Sequence, residues 1–137
     1  MSSKDLFSNV NVVEAIVPGT YLNGSDPTPV TIDTKGYESC LLVLTTGTVT
    51  DAQTLNVQDS ADDDSYDDVV SGDVVGGSSK LTAFETIAAG DDDTVKALGY
   101  IGNKRYLQVA CSGAGETGAV FGIVAILGHA QYRPATT

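Results

Sequence analysis

The sequence has few of the residues that enzyme active sites and metal centres usually require. Its 137 residues include no tryptophan, one histidine, two cysteines and one methionine. A Ser-His-Asp or Cys-His relay would therefore have to use His129, and a zinc site would lack its usual cysteine and histidine ligands. No Gly-rich phosphate loop ends in the required Lys-Ser or Lys-Thr pair. We therefore expect no enzyme activity, no cofactor and no metal, and a function in binding other proteins.

Basic residues are also scarce, because seven Lys and Arg stand against 18 Asp and Glu and give a formal net charge of −11. Twelve of the acidic residues lie between Asp51 and Asp93, where Lys80 is the only base. Nucleic acids and anionic membranes are bound through Lys and Arg contacts with phosphate groups. The sequence therefore predicts no nucleic-acid partner and no membrane partner. An acidic surface of this kind instead suits a basic patch on a protein partner.

Long hydrophobic runs are absent as well. The longest, Cys40–Leu44 and Ala119–Leu127, are far shorter than the ~20 residues that a membrane-spanning helix needs. The first 17 residues alternate polar with apolar side chains and lack the continuous apolar stretch of a secretory signal, so we expect a chain made and kept in a cytoplasm. Cys40 and Cys111 both lie in apolar strand-like runs, and we expect two free, buried thiols.

Strand-like segments, in contrast, are abundant and are separated by Gly, Pro, Asn and Asp clusters. They recur about every 10–15 residues, which is typical of a β-sandwich or barrel. No stretch of about 12 residues has a helical period with caps, so helix should be minor. Gly102-Asn103 predicts a tight hairpin between two neighbouring strands. The predicted strands, about eight, are Asn9–Val17, Val30–Asp33, Glu38–Thr46, Thr54–Asp59, Leu81–Ala88, Thr94–Ile101, Lys104–Cys111 and Ala119–Leu127.

The strand Glu38–Thr46 is apolar on both faces, so both of its faces need a cover. One cover is the protein's own core, and the second could be a symmetry mate. We therefore predict a dimer or trimer, with Leu41 and Val43 at the contact between copies. The strand Thr54–Asp59 alternates instead, as expected for a strand with one solvated face.

The two ends of the chain, residues 1–8 and 129–137, are predicted to form short arms of one domain that spans residues 1–137. Arms of this kind often lie on neighbouring molecules. Lys104-Arg105 is the only adjacent basic pair, and with Tyr106 it is too small for a nucleic-acid groove. It suits salt bridges to an acidic neighbour, within the oligomer or on a partner. The predicted partner-binding residues are Lys4, Leu6, Phe7, Lys104, Arg105, Tyr106, His129, Tyr132 and Arg133.

The acidic cluster between Asp59 and Asp68 is the strongest candidate for a metal site, because Ca²⁺ prefers oxygen ligands from a flexible loop. Its spacing fails the EF-hand template, since the sixth position carries no glycine and the twelfth no glutamate. A solvated acidic loop is the simpler interpretation. The sequence leaves open whether this loop binds Ca²⁺.

A resemblance to a known family covers roughly the second half of the chain. The segment Gly99–Ala130 is similar to the C-terminal part of the capsid decoration, or cement, proteins of tailed bacteriophages. Its most specific part is the string GYIGNKRY at Gly99–Tyr106. The other matching parts are the closing apolar strand Ala119–Leu127, the Gly128-His129 that follows it, and upstream the strings VQDSADD (Val57–Asp63) and YDDV (Tyr66–Val69).

The resemblance implies a jelly-roll-like antiparallel β-sandwich on the outer face of an icosahedral phage head. It implies a structural virion protein, made in the cytoplasm of a bacterial host, that binds the major capsid protein and cements neighbouring subunits. Two other functions remain compatible with the residues. One is a tail or adsorption component of the same particle, and the other is a Ca²⁺-dependent carbohydrate-binding module, which only the acidic loop favours.

Overall fold

The computed structural model describes residues 5–21, 26–113 and 118–130, most of which belong to two antiparallel β-sheets packed face to face. One α-helix, α1 (Gly77–Glu85), and two short 3₁₀ turns, Phe7–Asn9 and Ser71–Asp73, also occur in these ranges. The strands are β1 (Asn11–Tyr21), β2 (Ile32–Asp33), β3 (Tyr37–Val49), β4 (Gln53–Ser60), β5 (Asp67–Asp68), β6 (Thr86–Ile87), β7 (Val95–Tyr100), β8 (Tyr106–Gly113) and β9 (Ala119–Ala130).

Sheet A holds four strands in the order β1-β9-β3-β7, and sheet B holds β2-β8-β4 with β5 and β6 on the remaining edge of β4. The strands pair in a nested way, since β1 pairs with β9, β2 with β8, β3 with β7, and β4 with β5 and β6. A long hairpin folded over on itself in this way is a jelly roll. Because β5 and β6 share one position, the nine strands fill eight places. The predicted fold class is confirmed.

The core lies between the two sheets and is formed by the side chains that point inward at alternate positions along each strand. In β3, Cys40, Leu42 and Leu44 are buried, while Leu41 and Val43 lie on the outer side of sheet A. β3 lies between β9 and β7, so this doubly apolar strand is not at the edge of its sheet. β9, the other long apolar run, lies between β1 and β3. The two most apolar strands are therefore neighbours in the middle of sheet A.

The prediction of a strand at Leu81–Ala88 is wrong, because the first part of this segment belongs to helix α1. Leu81 and Phe84 are three residues apart, so they lie on one side of the helix and pack against the core. The Glu85 carboxylate accepts a 2.8 Å hydrogen bond from the Val57 backbone N–H, which fastens the helix to β4. Only β6 remains of the predicted strand. No helix within the described ranges is long and apolar enough to cross a bilayer.

The predicted hairpin at Gly102-Asn103 is also wrong, because β7 lies in sheet A and β8 in sheet B. Residues 101–105 cross from one sheet to the other, and we call them the crossover loop. Gly102 is required here for close approach, since a Cβ at this position would lie 2.4 Å from the Tyr100 hydroxyl oxygen. The glycine therefore lets the loop pass directly over the tyrosine ring.

Strand β1 continues past Pro18, where the prediction ended it, and the other predicted strands differ from the structure at their ends. The pairing of β1 with β9 has register shifts between Glu14 and Ile16 and between Ile16 and Gly19. Such bulges, together with the edge position of β1, accommodate a proline inside the strand. The bulges and the proline also make this edge unfavourable for pairing with a strand of another molecule.

The predicted arms are partly incorporated into the fold. β9 continues through His129 to Ala130, so the predicted start of the C-terminal arm at residue 129 is wrong. In the predicted N-terminal arm, the Asp5 carboxylate accepts a hydrogen bond from the Ser8 backbone N–H, and the turn Phe7–Asn9 contacts β9. The other arm residues, 1–4 and 131–137, lie outside the described ranges.

Both cysteines are free thiols, as predicted. Cys40 is buried, whereas Cys111 is only half-buried. Burial raises the pKa of each thiol to about 12. Because the nucleophilic form of cysteine is the thiolate, neither side chain is activated for chemistry.

One buried polar contact joins the two sheets. Asp59 of β4 is 3% exposed, and its Oδ2 accepts a 2.8 Å hydrogen bond from the hydroxyl of Tyr100 at the end of β7. Lys104 places Nζ 3.5 Å from Asp59 Oδ1, and its backbone N–H donates to the Tyr100 hydroxyl at 3.4 Å. Burial and the neighbouring carboxylate raise the pKa of Tyr100, so its hydroxyl stays protonated and donates. This contact fastens the crossover loop to both sheets.

Replacing Tyr100 by phenylalanine should lower the free energy of unfolding by about 1–3 kcal/mol, because the buried Asp59 carboxylate would lose a hydrogen-bond donor. Urea unfolding followed by circular dichroism measures this change. The matched control is Tyr106→Phe, which removes a hydroxyl from a half-buried tyrosine outside the contact. If Tyr100→Phe costs no more than the control, the contact does not stabilise the fold.

Candidate functional site

Two cavities of about 490 Å³ each open at the same end of the sandwich, beside the start of β3. The loop cavity lies between residues 34–40 and the crossover loop. The turn cavity lies between the first 3₁₀ turn, the start of β3 and the end of β9. Ser39 and Cys40 line both cavities. We call this end of the molecule the cavity end.

The cavity end brings together predicted partner-binding residues that are far apart in the sequence. Leu6 and His129 line the turn cavity, and Lys104 and Arg105 line the loop cavity. Leu6 is 70% exposed, and Phe7 beside it is 73% exposed. Three further predicted residues lie outside the described ranges: Lys4, Tyr132 and Arg133.

Lys104 and Arg105 have acidic partners within the same chain. Arg105 donates through Nε and Nη2 to the two carboxylate oxygens of Asp33, each at 2.8 Å, and its guanidinium carbon lies 4.7 Å from the centre of the Tyr106 ring. This hydrogen-bonded pair lowers the pKa of Asp33 and raises that of Arg105. Lys104 Nζ lies 4.0 Å from Asp67 Oδ2, in addition to its contact with the buried Asp59 carboxylate. The two bases hold the crossover loop, and their contact with a partner stays a prediction.

His129 makes a hydrogen bond beside the turn cavity. Its Nδ1 lies 2.8 Å from the Ser39 hydroxyl oxygen, which joins the end of β9 to the start of β3. The histidine backbone has a φ of 52°, in the left-handed region that non-glycine residues rarely adopt. In a serine relay the hydroxyl contacts Nε2, and Nδ1 faces the carboxylate. The contact here uses the opposite nitrogen, so it has the geometry of a structural hydrogen bond.

The acidic loop, residues 60–68, lies beside Lys104, whose Nζ is 4.0 Å from an Asp67 carboxylate oxygen. Asp62 Oδ1 accepts hydrogen bonds from the backbone N–H groups of Ser65 and Asp64, both at 3.0 Å, and from the Ser60 hydroxyl at 2.8 Å. These bonds lower the pKa of Asp62. No group of three or more His, Cys, Asp or Glu side chains in the described part of the chain is placed to hold a metal ion. The loop is thus a hydrogen-bonded turn with an acidic surface.

The outer face of sheet A is largely apolar. Strand pairing places Val12, Ile126 and Leu41 side by side in one row across the sheet. Val12 is 51% and Leu41 38% exposed, and the neighbouring Val43 is half-buried. Glu14, on the edge strand β1, is the one charged residue among those listed next. We call this surface the sheet A face, and its residues are Val12, Glu14, Leu41, Val43, Thr45, Val95, Ala97, Gly99, Val120, Gly122, Val124 and Ile126.

The outer face of sheet B is polar and hydrogen-bonded within itself. Gln108 Nε2 donates to Gln58 Oε1 at 2.8 Å, between β8 and β4. Asp68 accepts hydrogen bonds from the side-chain amides of Asn56, at 2.7 Å, and Gln58, at 3.2 Å. Antiparallel sheets with such polar faces are normally in contact with water. The sandwich therefore has one face suited to water and one face suited to an apolar cover.

Comparisons with known proteins do not assign a role to these surfaces. No protein-family model matches the chain, and no curated protein matches it. The function must therefore be inferred from the surfaces and from the resemblance described above.

Reasoning from the sequence identified Leu41 and Val43 but missed the rest of the sheet A face. The missing information was the register, because Val12, Val124 and Ala97 join these residues only through the pairing of β1, β9 and β7 around β3. One signal was present. The run that forms β9 is apolar on both faces, as β3 is, and two such strands predict a sheet that needs two covers.

Calcium should have little effect on the folded protein, because the Asp62 carboxylate at the centre of the acidic loop already accepts hydrogen bonds from its own backbone. We expect about 1 mM Ca²⁺ to raise the melting temperature by no more than ~2 °C, since only specific binding to the folded state stabilises it. Scanning calorimetry in EDTA, in Ca²⁺ and in Mg²⁺ at equal ionic strength measures this. A rise of several degrees in Ca²⁺ alone would reveal a specific site.

Proposed function

We propose that this protein is a structural virion protein that binds the outer surface of an icosahedral phage head and cements neighbouring major capsid protein subunits. The resemblance of its second half to capsid decoration proteins supports the proposal, and so does the jelly-roll fold that this resemblance implies. The observation that carries the proposal is the pair of exposed apolar side chains, Leu6 and Phe7, at the cavity end.

Leu6 and Phe7 have a natural role as contacts to another protein. Both side chains remain largely in water in the isolated chain, so they add little to its own core. Burying a leucine or phenylalanine side chain is worth ~1.5–3 kcal/mol. The turn cavity beside them, lined by Val10, Leu41 and Ile126, offers a recess for a side chain of the partner. These features favour attachment to a protein surface through the cavity end.

The acidic loop supplies charge beside Lys104, which lines the loop cavity. Five of its aspartates are exposed, namely Asp62, Asp63, Asp64, Asp67 and Asp68, and Lys104 reaches only Asp67 among them. A basic patch on the capsid subunit would complement them. Complementary charge of this kind raises association rates and disfavours wrong partners more than it raises affinity. An acidic protein also suits the exterior of the head, because the packaged DNA lies inside.

Cementing follows from mass action. A protein that binds the assembled lattice and not the separate subunits stabilises the lattice by its binding free energy. Many copies act on one head, so a modest contact for each copy is sufficient. In this proposal the protein needs no chemistry of its own, in agreement with the expectation that it is not an enzyme.

Replacing Leu6 and Phe7 together by serine should weaken binding to undecorated heads at least about tenfold, because tenfold corresponds to ~1.4 kcal/mol and the two buried side chains are worth more than that. Co-sedimentation of the purified protein with heads from a phage that lacks the gene measures the affinity. The matched control is Val70→Ser, which removes an apolar side chain that is 62% exposed and lies outside the cavity end. The control should bind as the wild type does.

Two results would contradict the proposal. If the double variant folds and binds heads with unchanged affinity, the cavity end is not the attachment surface. If the wild type binds purified tails and not heads, the protein is a tail or adsorption component instead.

A further inference from the structure

Basic residues are concentrated in the loop cavity. Seven Lys and Arg residues occur in the chain, and five of them lie in the described ranges. Three of these five line the loop cavity, namely Lys35, Lys104 and Arg105. Glu38 is the one acidic residue of this lining, and it forms an ion pair with none of the three bases. In a protein with a formal net charge of −11, this lining thus carries more basic than acidic residues.

Two of the three bases have carboxylate partners that do not line the cavity. Arg105 donates to the Asp33 carboxylate through Nε and Nη2. Lys104 Nζ lies 3.5 Å from Asp59 Oδ1 and 4.0 Å from Asp67 Oδ2. None of these three aspartates belongs to the cavity lining. The two bases are therefore held in place and partly neutralised within the chain.

Lys35 is the third base, and its charge has no partner of this kind. Its side chain is exposed, and its ammonium group forms no ion pair or hydrogen bond with any described residue. A lysine ammonium is a compact charge with three N–H donors and no acceptor. Its natural partner on another protein is a carboxylate.

The backbone at Lys35 is fixed before any partner binds. The Tyr37 N–H donates to the Thr34 carbonyl oxygen at 3.0 Å and closes a β-turn that contains this lysine. Four hydrogen bonds join the turn and the residue before it to the crossover loop. Two run from Arg105 to Asp33, and two run from the Thr34 N–H and hydroxyl to the Arg105 carbonyl oxygen. A binding element that is already ordered loses less conformational freedom on association.

The surroundings of the cavity favour a single carboxylate over a polyanion. The acidic loop lies beside Lys104, so an extended polyanion such as a nucleic acid would meet exposed aspartates as well as the bases. One Asp or Glu side chain can contact Lys35 without this repulsion. Ser39 and Cys40 line both cavities, so a carboxylate in the loop cavity would lie next to the cavity that Leu6 lines.

We propose that the loop cavity binds an Asp or Glu side chain of the major capsid protein, with the Lys35 ammonium as its partner. This inference rests on the proposed function and adds the chemical group that the capsid subunit presents at the cavity end. The charged contact complements the apolar contact of Leu6 and Phe7, because charge pairs contribute selectivity and association rate more than affinity.

Co-sedimentation of the Lys35→Glu variant with undecorated heads tests the contact. The Lys35 backbone N–H donates to Asp33, and this bond does not depend on the side chain, so the turn should be kept. Binding should weaken at least about tenfold, because the capsid carboxylate would face a like charge, and Lys35→Gln should weaken it less. The matched control is Lys80→Glu, which makes the same charge change at an exposed lysine of α1 that has no ion pair among the described residues. The control should bind as the wild type does, and circular dichroism checks that each variant is folded.

Zero-length cross-linking of decorated heads identifies the partner group directly. A carbodiimide condenses a lysine amine with a carboxylate in contact with it to form an amide, and is itself hydrated to a urea. Peptide mass spectrometry should then find Lys35 joined to an Asp or Glu of the capsid protein. Lys80, outside both cavities, should not be joined to it.

Two results would overturn the inference: a folded Lys35→Glu variant that binds heads as the wild type does, or cross-linked heads in which no capsid carboxylate is joined to Lys35. The proposed function survives either result if replacing Leu6 and Phe7 still weakens binding. A wild type that binds no heads overturns both the proposed function and this inference.

Discussion

Strand β9 is apolar on both faces, and most of the architecture depends on how those two faces are covered. It pairs with β1 on one side and with the equally apolar β3 on the other, so the middle of sheet A is apolar throughout. The inner face is covered by sheet B and forms the core. The outer face belongs to the surface, where apolar strands in contact with water are unfavourable. This outer face is therefore a surface on which we expect a partner.

The cavity end depends on a different interaction, the buried contact of Asp59 with Tyr100 and Lys104. The contact holds the crossover loop where the chain passes from sheet A to sheet B. Two adjoining cavities lie beside this loop. Residues 34–40 form a wall of the loop cavity, and the first 3₁₀ turn, on the far side of β3, forms a wall of the turn cavity. The fold thus gathers exposed apolar side chains and two paired bases at one end. A surface of this mixed kind fits the proposed attachment to a protein shell.

The range of each interaction explains which features could be predicted from the sequence. Alternation within a strand is local, so the β-sandwich and most of its strands were predicted. Helix α1 was missed because its second half lies in a segment rich in strand-forming residues. The spacing of Leu81 and Phe84 fits a helix, but the choice of helix depends on a core formed by distant strands. At Gly102-Asn103 the local hairpin signal is overridden by the pairing of β7 with β3 and of β8 with β4. Leu41 and Val43 could be proposed as contacts, but the face around them exists only in the folded sheet.

The central claim is that the cavity end meets the capsid. A cryo-EM map of heads decorated with this protein tests this claim most directly. The account predicts sandwiches whose cavity ends face the shell, with Leu6 and Phe7 against the capsid subunits. Sandwiches whose cavity ends point away from the shell would contradict it.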